Sequence, residues 1–167
     1  MKNMRRCIGL ASLLILLAAA SCSKKQQYTP KAKVASSFVP TADAEMAAAI
    51  AKARESLPRF WEALQQPEHG ETNFALKVRF NDTNTMEYVW LGEVSRQNTR
   101  TLGTVGGGPL TVHCISQGQR VTINEADIGD WSYDRDGKTF GNYTIRALFK
   151  VMPEKDVEYF KRKLAEP

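Results

Sequence analysis

The chain has 167 residues, of which 43% are hydrophobic and 25% are charged, a balance typical of a folded globular protein. Its formal net charge of +5 comes from the first 40 residues, which hold seven basic side chains and no acid. The other 127 residues carry 16 basic and 18 acidic side chains, and this near-neutral balance excludes nucleic acid as a predicted partner.

Residues 1–21 have the pattern of a bacterial lipoprotein signal peptide. The segment 1–6 is basic, and the apolar run 8–20 is shorter than the roughly 20 residues that a membrane span needs. The sequence Ala19-Ala20-Ser21-Cys22 resembles the bacterial lipobox, in which the cysteine receives a diacylglycerol and becomes the mature N-terminus. We therefore expect lipidation at Cys22, the alternative being an ordinary signal peptide with an incidental cysteine.

Residues 22–40 are polar and lack a sustained period, which predicts a flexible tether before a single globular domain at 41–167. Ser23 stands where an aspartate would indicate retention in the inner membrane. Similarity to lipoprotein sorting rules therefore implies the outer membrane, with the domain facing the periplasm. The membrane is thus a predicted partner through the lipid anchor.

Apolar residues between Thr41 and Leu64 recur at steps of three and four, which predicts an N-terminal helix capped by Thr41. Pro58 lacks a backbone donor and crowds the preceding turn. The helix should therefore be kinked there or split into two, with Ser56 capping the second part. Trp61 belongs to the apolar stripe of this helix and is expected in the core.

Period-two patterning between turn residues predicts strands over much of the next stretch. Residues 72–80 have the alternation of a half-buried strand, and 98–105 form a weaker one. Tyr88-Val89-Trp90-Leu91 is apolar on both faces. We expect this strand to be central, with the first helix on one side and more sheet on the other.

Residues 110–115 and 120–124 are predicted to form a hairpin. Alternation places Cys114 on the inward face with Leu110 and Val112, which favours a buried small hydrophobe over a reactive thiol. Cys7 leaves with the signal peptide and Cys22 is acylated in this interpretation, so no disulfide forms within the mature chain.

Trp131 and Tyr133 lie on one face of a further strand and are large enough to anchor the core. A tight turn at 134–137 follows, and then a helix with Asn142 as its cap that continues through Met152. Pro153 starts a second helix. The predicted fold class is α+β, with an N-terminal helix, a twisted, barrel-like antiparallel sheet and two short C-terminal helices.

No metal site, cofactor or catalytic set is predicted. His69 and His113 have no spacing that suggests shared metal ligation, and His113 and Cys114 point to opposite faces of the predicted strand. Asp134 and Asp136 are similar to the start of a calcium loop, but residues 138–146 contain no acid to complete it, so a hairpin turn is favoured.

Asp130 is expected to cap a turn or to pair with Arg146. This makes Asp130, Trp131, Tyr133 and Arg146 a structural or recognition set, with a catalytic role for Asp130 as the alternative.

Several segments resemble the bacterial family known as domain of unknown function 2314, over roughly Met46 to Leu148. They are the A-x-A-R-x-x-L-P-x-F-W run from Ala51, K-V-R-F at Lys77, E-Y-V-W-L-G from Glu87, G-x-x-V-T-I from Gly118, and I-G-D-W followed by G-N-Y-T-I-R. The chain departs from the pattern at 106–109, where an Asn is expected two residues before the proline. The resemblance implies no catalytic role, because the family has no established reaction.

Two classes of function fit these observations. The first is a binding or inhibitory module with a periplasmic protein partner, of the immunity type to which some relatives of this fold are thought to belong. Trp61, Tyr88 and Trp90 are its candidate contacts wherever they are exposed, although core packing is favoured for all three. The second is an envelope hydrolase that uses the Asp127 and Asp130 region with His113. Binding is favoured because the sequence lacks a convergent nucleophile and base.

Overall fold

The computed structural model describes residues 44–167. The predicted signal peptide, Cys22, the tether and the Thr41 cap lie outside the described residues. The elements, in chain order, are α1 (Ala44–Glu55), α2 (Leu57–Gln65), β1 (Thr72–Asn81), β2 (Met86–Gln97), β3 (Arg100–Val105), β4 (Arg120–Ile123), a 3₁₀ turn (Glu125–Asp127), β5 (Ile128–Arg135), β6 (Lys138–Gly141), α3 (Tyr143–Ala147) and α4 (Glu154–Lys163).

The strands form a six-stranded antiparallel sheet in the order β4-β3-β2-β1-β5-β6, which confirms the predicted α+β class. The sheet is open rather than barrel-like as predicted, with β4 and β6 at its edges. β2 lies near its centre, in agreement with the prediction. A parallel bridge between Thr139 and Leu164 adds the segment after α4 to the edge at β6.

The N-terminal helix is split, as Pro58 predicts. Pro58 lies in the first turn of α2, where its missing N–H has no helical partner to lose. Ser56 occupies the N-cap position of α2, but its hydroxyl donates to the carbonyl oxygens of Lys52 at 2.8 Å and Ala53 at 3.1 Å. The predicted capping role of Ser56 is therefore wrong, because its side chain closes α1 instead.

The main core lies between α1, α2 and one face of the sheet. Phe60, Leu76, Leu91 and Trp131 are all fully buried there. The indole N–H of Trp131 donates to the carbonyl oxygen of Ala53 at 3.0 Å, which ties β5 to α1. Trp131 is thus the core anchor that its position in the sequence predicts.

A second, smaller core joins the two ends of the described chain. It consists of Met46 from α1, Ile145 and Leu148 from α3 and the turn after it, and Leu164 after α4. α3 ends at Ala147, several residues short of the predicted Met152, and the chain passes through turns before α4 begins.

The predicted hairpin of residues 110–115 with 120–124 is wrong. β4 pairs with β3, and residues 110–115 form an irregular segment. The backbone N–H groups of this segment donate to side-chain carboxylates instead of to a neighbouring strand. Glu87 accepts from Leu110, Thr111 and Val112 at 2.9 to 3.4 Å, and Asp82 accepts from His113 at 2.9 Å.

Residues 106–119, which we call the strap, pack over one end of the main core. Val112 and Ile115 are buried there, whereas Leu110 is 64% exposed. Cys114 is exposed, so its predicted burial is also wrong. The inward alternation of Leu110, Val112 and Cys114 requires a regular strand, and the carboxylate contacts of the strap replace that strand.

The β5–β6 hairpin agrees with its prediction. Arg135 pairs with Lys138 across a two-residue loop, and both loop residues, Asp136 and Gly137, have positive φ angles of 51° and 72°. This is the backbone of a type I′ turn, for which Asp-Gly is a favoured sequence.

Candidate functional site

The face of the sheet opposite α1 and α2 is partly open. Leu76 and Val78 of β1 and Val89 and Leu91 of β2 are buried in the main core, so the residues that alternate with them point the other way. These are Lys77, Arg79, Tyr88 and Trp90, which we call the open face. Of the four, Arg79 is exposed and the others are half-buried.

The expectation of more sheet over Tyr88 and Trp90 is wrong. All six strands of residues 44–167 belong to the same sheet, so both rings keep a solvent-facing side. Trp61, the third candidate contact, is in the main core with 9% of its surface exposed. The Arg96 guanidinium lies 4.5 Å from the Trp61 ring centroid, where it stabilises the ring by a cation–π contact.

Neighbouring residues hold both open-face rings in place. Tyr88 pairs with Arg79 and reaches across β1 to Gly129 on β5. A Cβ atom added at Gly129 would lie 2.4 Å from Cε1 of Tyr88. The absence of a side chain at Gly129 therefore makes room for the Tyr88 ring. Trp90 pairs with Lys77, whose Nζ lies 5.9 Å from the Trp90 ring centroid.

Behind Lys77 lies a buried hydrogen-bond network centred on Asp130. The carboxylate of Asp130 is fully buried and accepts from the backbone N–H groups of Trp131, Tyr143 and Thr144 at 2.8, 3.1 and 2.7 Å. The Thr144 hydroxyl also donates to it at 2.7 Å and accepts from Lys77 Nζ at 3.1 Å. Thr144 thus links the cation to the carboxylate.

Burial disfavours the charged forms of both ends of this network. It raises the pKa of Asp130, while the bonds from Thr144 and Trp131 and the charge of Lys77 act in the opposite direction. Burial likewise lowers the pKa of Lys77, and the charge of Asp130 opposes that change. The charge of Lys77 and the charge of Asp130 therefore compensate each other's burial.

Asp130 acts as the N-terminal cap of α3, so the turn-capping alternative describes its role. Asn142, the predicted cap, has a left-handed backbone with φ of 56° and makes no side-chain cap bond. The predicted pairing of Asp130 with Arg146 is wrong, because the Arg146 guanidinium donates to the carbonyl oxygen of Ala165 at 2.7 Å. Tyr133 is buried and stacks between Trp131 and Phe140.

The three residues of the hydrolase alternative have separate partners. Asp127 forms an ion pair with Arg79 at 2.7 Å, Asp130 caps α3, and His113 is exposed on the strap. Among the hydrogen bonds of residues 44–167, none joins His113 to either aspartate. The exposed position of His113 agrees with the interpretation of a solvent-facing histidine.

Two shallow cavities lie away from the open face. One, of about 390 Å³, is lined by Leu64, Gln65, Val94, Ser95 and Arg96, and the other, of about 260 Å³, lies between α1 and α3. Within residues 44–167, no group of three or more His, Cys, Asp or Glu side chains is placed to hold a metal ion. No helix in this range is long and apolar enough to cross a membrane.

Residues 43–165 match a family model described as an uncharacterized protein conserved in bacteria (DUF2314). The chain belongs to this family. The uncharacterized protein YegJ of Escherichia coli K12 is 31% identical over 119 residues, which cover 71% of this chain and 76% of YegJ. A putative ankyrin repeat protein of Neisseria meningitidis serogroup B is 26% identical over 127 residues, covering 71% of this chain and 50% of the relative. No solved structure gives a significant match.

Segments that carry the DUF2314 resemblance in the sequence meet at the open face. K-V-R-F on β1 and E-Y-V-W-L-G on β2 lie side by side and supply all four of its residues. I-G-D-W supplies Gly129 and Asp130, and G-N-Y-T-I-R supplies Thr144. The DUF2314 segments thus lie together in the fold, from the open-face rings to the buried carboxylate.

Proposed function

We propose that this DUF2314 domain is a non-catalytic binding module of the bacterial cell envelope and that the open face is its contact surface. One observation carries the proposal: Tyr88 and Trp90 stay partly exposed beside two cations on a face that no second sheet of residues 44–167 covers. Tyrosine, tryptophan and arginine are the residue types that contribute most binding energy at interfaces.

The proposal includes a lipid anchor at Cys22, a tether at 22–40 and an outer-membrane position facing the periplasm. Its support is the basic, apolar signal pattern and the lipobox-like sequence before Cys22. A diacylglycerol on the cysteine supplies two acyl chains, and two chains anchor a protein stably where one is marginal. An inhibitory, immunity-like role is one form of this binding, and a neighbouring gene for a secreted toxin would favour it.

The contacts of the polar residues near this site support binding rather than turnover. Asp130 is committed to the α3 cap and Asp127 to Arg79, and both contacts stabilise the fold. The hydrolase alternative stays a hypothesis with its own test. A strain carrying His113→Ala should retain the cellular function of the protein if the domain only binds, and should lose it if His113 takes part in hydrolysis.

Site-specific photo-crosslinking in living cells tests the contact surface. A photo-reactive phenylalanine analogue replaces Trp90 in the full-length chain, and the matched control carries it in place of Tyr159, which is 42% exposed on α4. We expect a crosslinked adduct from the Trp90 position and none from Tyr159. Equal labelling of both positions, or no adduct from Trp90, would contradict the assignment of the open face.

A further inference from the structure

We propose that the ligand of the open face is a neutral polysaccharide chain, whose sugar rings stack on Tyr88 and Trp90. This inference rests on the proposed function and adds the chemical class of the ligand. A pyranose ring has an apolar face of C–H groups and a rim of hydroxyls. Its binding site therefore needs an aromatic plane with hydrogen-bonding groups around it.

Tyr88 and Trp90 supply two aromatic rings on one face of the sheet. Tyr88 and Trp90 are two residues apart on β2, so their Cα atoms are about 6.8 Å apart on the same face. Gly129 makes room for the Tyr88 ring, and Lys77 lies against Trp90. Each ring thus has a protein neighbour, and each is partly exposed to solvent.

Polar groups that are already paired surround the two rings. Arg79 is paired with Asp127 at 2.7 Å on one side. On the other side, Arg120 donates to Thr104 at 3.0 Å, and the Thr104 hydroxyl donates to Glu93 at 2.8 Å. These groups present donors and acceptors with little excess of either charge. Such a rim suits hydroxyl groups and gives no preference for a polyanion.

The same rim argues against a protein as the ligand. The centre of a protein–protein interface is depleted in charged side chains, and its energy comes from fully desolvated contacts. Here Lys77 and Arg79 stand directly beside the two rings, at the centre of the surface rather than at its edge. A protein would have to desolvate the exposed ion pair of Arg79 and Asp127 to cover the rings, whereas a sugar chain can hydrogen-bond to it.

The open shape of the site favours a chain over a single sugar. Small ligands bind in enclosed clefts, and the two cavities, one beside Leu64 and Arg96 and one between α1 and α3, include no open-face residue. Beside Trp90, the N–H of Gly106 donates to the Trp90 carbonyl oxygen at 3.0 Å, and Gly107 and Gly108 follow without side chains. A linear ligand can therefore continue past Trp90 and gain affinity from successive units.

Tryptophan fluorescence of the full-length chain tests this inference. Trp61 and Trp131 are 9% and 0% exposed, so the half-buried Trp90 reports contact with a ligand. The probes are neutral β-linked chito-oligosaccharides and cello-oligosaccharides of graded length. We expect saturable changes whose affinity rises with oligosaccharide length. Tyr88→Ala should weaken binding about tenfold, as loss of one stacking ring does for bases on aromatic side chains.

Two variants serve as controls. Trp90→Phe should abolish the fluorescence change while calorimetry still detects binding, and Tyr159→Ala should bind like the unchanged protein. A thermal melt of each variant checks that it is folded. No binding of either oligosaccharide series overturns the inference, and so does full affinity in the Tyr88→Ala, Trp90→Ala double variant.

The photo-crosslinking result separates failure of this inference from failure of the proposed function. A protein adduct from the Trp90 position without oligosaccharide binding overturns the polysaccharide ligand and leaves the binding module in place. Absence of both an adduct and oligosaccharide binding contradicts the two proposals together.

Discussion

Two glycines with the same backbone conformation differ in what surrounds them. Gly137 and Gly141 have φ angles of +72° and +73°, but a Cβ atom meets nothing within 4 Å at Gly137 and lies 2.3 Å from the Trp131 carbonyl oxygen at Gly141. Gly137→Ala should therefore lower the free energy of unfolding by about 1–2 kcal/mol, the cost of a left-handed backbone at alanine. Gly141→Ala should lower the free energy of unfolding further, because Trp131 must also move.

Urea unfolding of the two alanine variants measures this difference directly. Gly137→Ala is the matched control, since it carries the backbone strain without the clash. Equal losses in the free energy of unfolding would mean that Trp131 shifts at no cost, which its full burial argues against.

Asp130 is the residue whose replacement we expect to be most damaging among the four aspartates of 127–136. Asp130→Ala removes the carboxylate that accepts from three backbone N–H groups and leaves Lys77 without its compensating charge. The expected loss of unfolding free energy is about 3–5 kcal/mol, as for one partner of a buried ion pair. Asp127→Ala, which removes a surface ion pair, should cost less than about 1 kcal/mol.

A double-mutant cycle locates the partner of Asp130. Asp130→Asn and Thr144→Val should be non-additive by about 0.5–3 kcal/mol, because the two side chains hydrogen-bond directly. Strict additivity in this pair would show that the Thr144 hydroxyl contributes nothing to the network.

The role of Asp130 illustrates what a sequence leaves open at this scale. An N-terminal cap is normally sought immediately before its helix, which pointed to Asn142. The capping carboxylate instead comes from the preceding strand, β5, because the chain turns back after β6 and places the start of α3 against it. Lys77 and Thr144 carry no local signal that predicts their meeting, since only the β1–β5 pairing brings them together.

At the scale of elements, the strap depends on two carboxylates. Burial raises the pKa of Glu87, but the N–H groups of Thr111, Leu110 and Val112 outweigh this effect and hold the pKa below its ordinary value of 4.5. The N–H of His113, followed by that of Thr83, holds the pKa of Asp82 below 3.8. Each carboxylate therefore stabilises the fold fully above its ordinary pKa, and that stabilisation is lost as the pH falls through the folded pKa.

The strap should thus loosen in acid before the sheet unfolds. Amide hydrogen exchange of Thr111 and Val112 should lose protection as the pH falls below 4.5, while amides of β1 and β2 stay protected. Glu87→Gln should weaken protection of the strap at neutral pH and reduce its acid dependence. Glu93→Gln, at an exposed position on the same strand, should behave like the unchanged protein.

The strap also shows where period-two patterning fails. Residues 72–80 form the predicted strand and bury Leu76 and Val78 in the main core. Residues 128–133 also form the predicted strand, although both of its faces are buried. Leu110 to Ile115 alternates in the same way, yet Glu87 and Asp82 take the backbone donors that a neighbouring strand would use. Sequence periodicity does not distinguish these outcomes, because it contains no information about distant carboxylates.

At the scale of the whole molecule, we expect Cys22 to decide where the protein is found. Cys22→Ala should abolish labelling by radioactive palmitate and move the protein from the membrane fraction to the soluble fraction, or block its processing. Cys114→Ala is the matched control, since Cys114 is a thiol within the described domain and should leave fractionation unchanged. A fully soluble, unlabelled wild-type protein would contradict the lipid anchor.

The α+β class followed from the sequence because helical and strand periods occupy separate stretches of the chain. The sequence did not predict that the second face of the sheet is open. Tyr88, Val89, Trp90 and Leu91 are all apolar, which suggested burial on both sides. Aromatic side chains on a contact surface and aromatic side chains in a core give the same local sequence pattern. Only the pairing of Tyr88 with Arg79 and of Trp90 with Lys77 shows that these two rings lie on the open face.

The small core of Met46, Ile145, Leu148 and Leu164 has a consequence for biosynthesis. A polypeptide emerges from the ribosome or an export channel with its N-terminus first, so Met46 appears long before Leu164. Until Leu164 arrives, α1 has an uncovered apolar end and Thr139 lacks the neighbour that bridges the edge at β6. We therefore expect a nascent chain to keep these surfaces uncovered until this late segment has emerged.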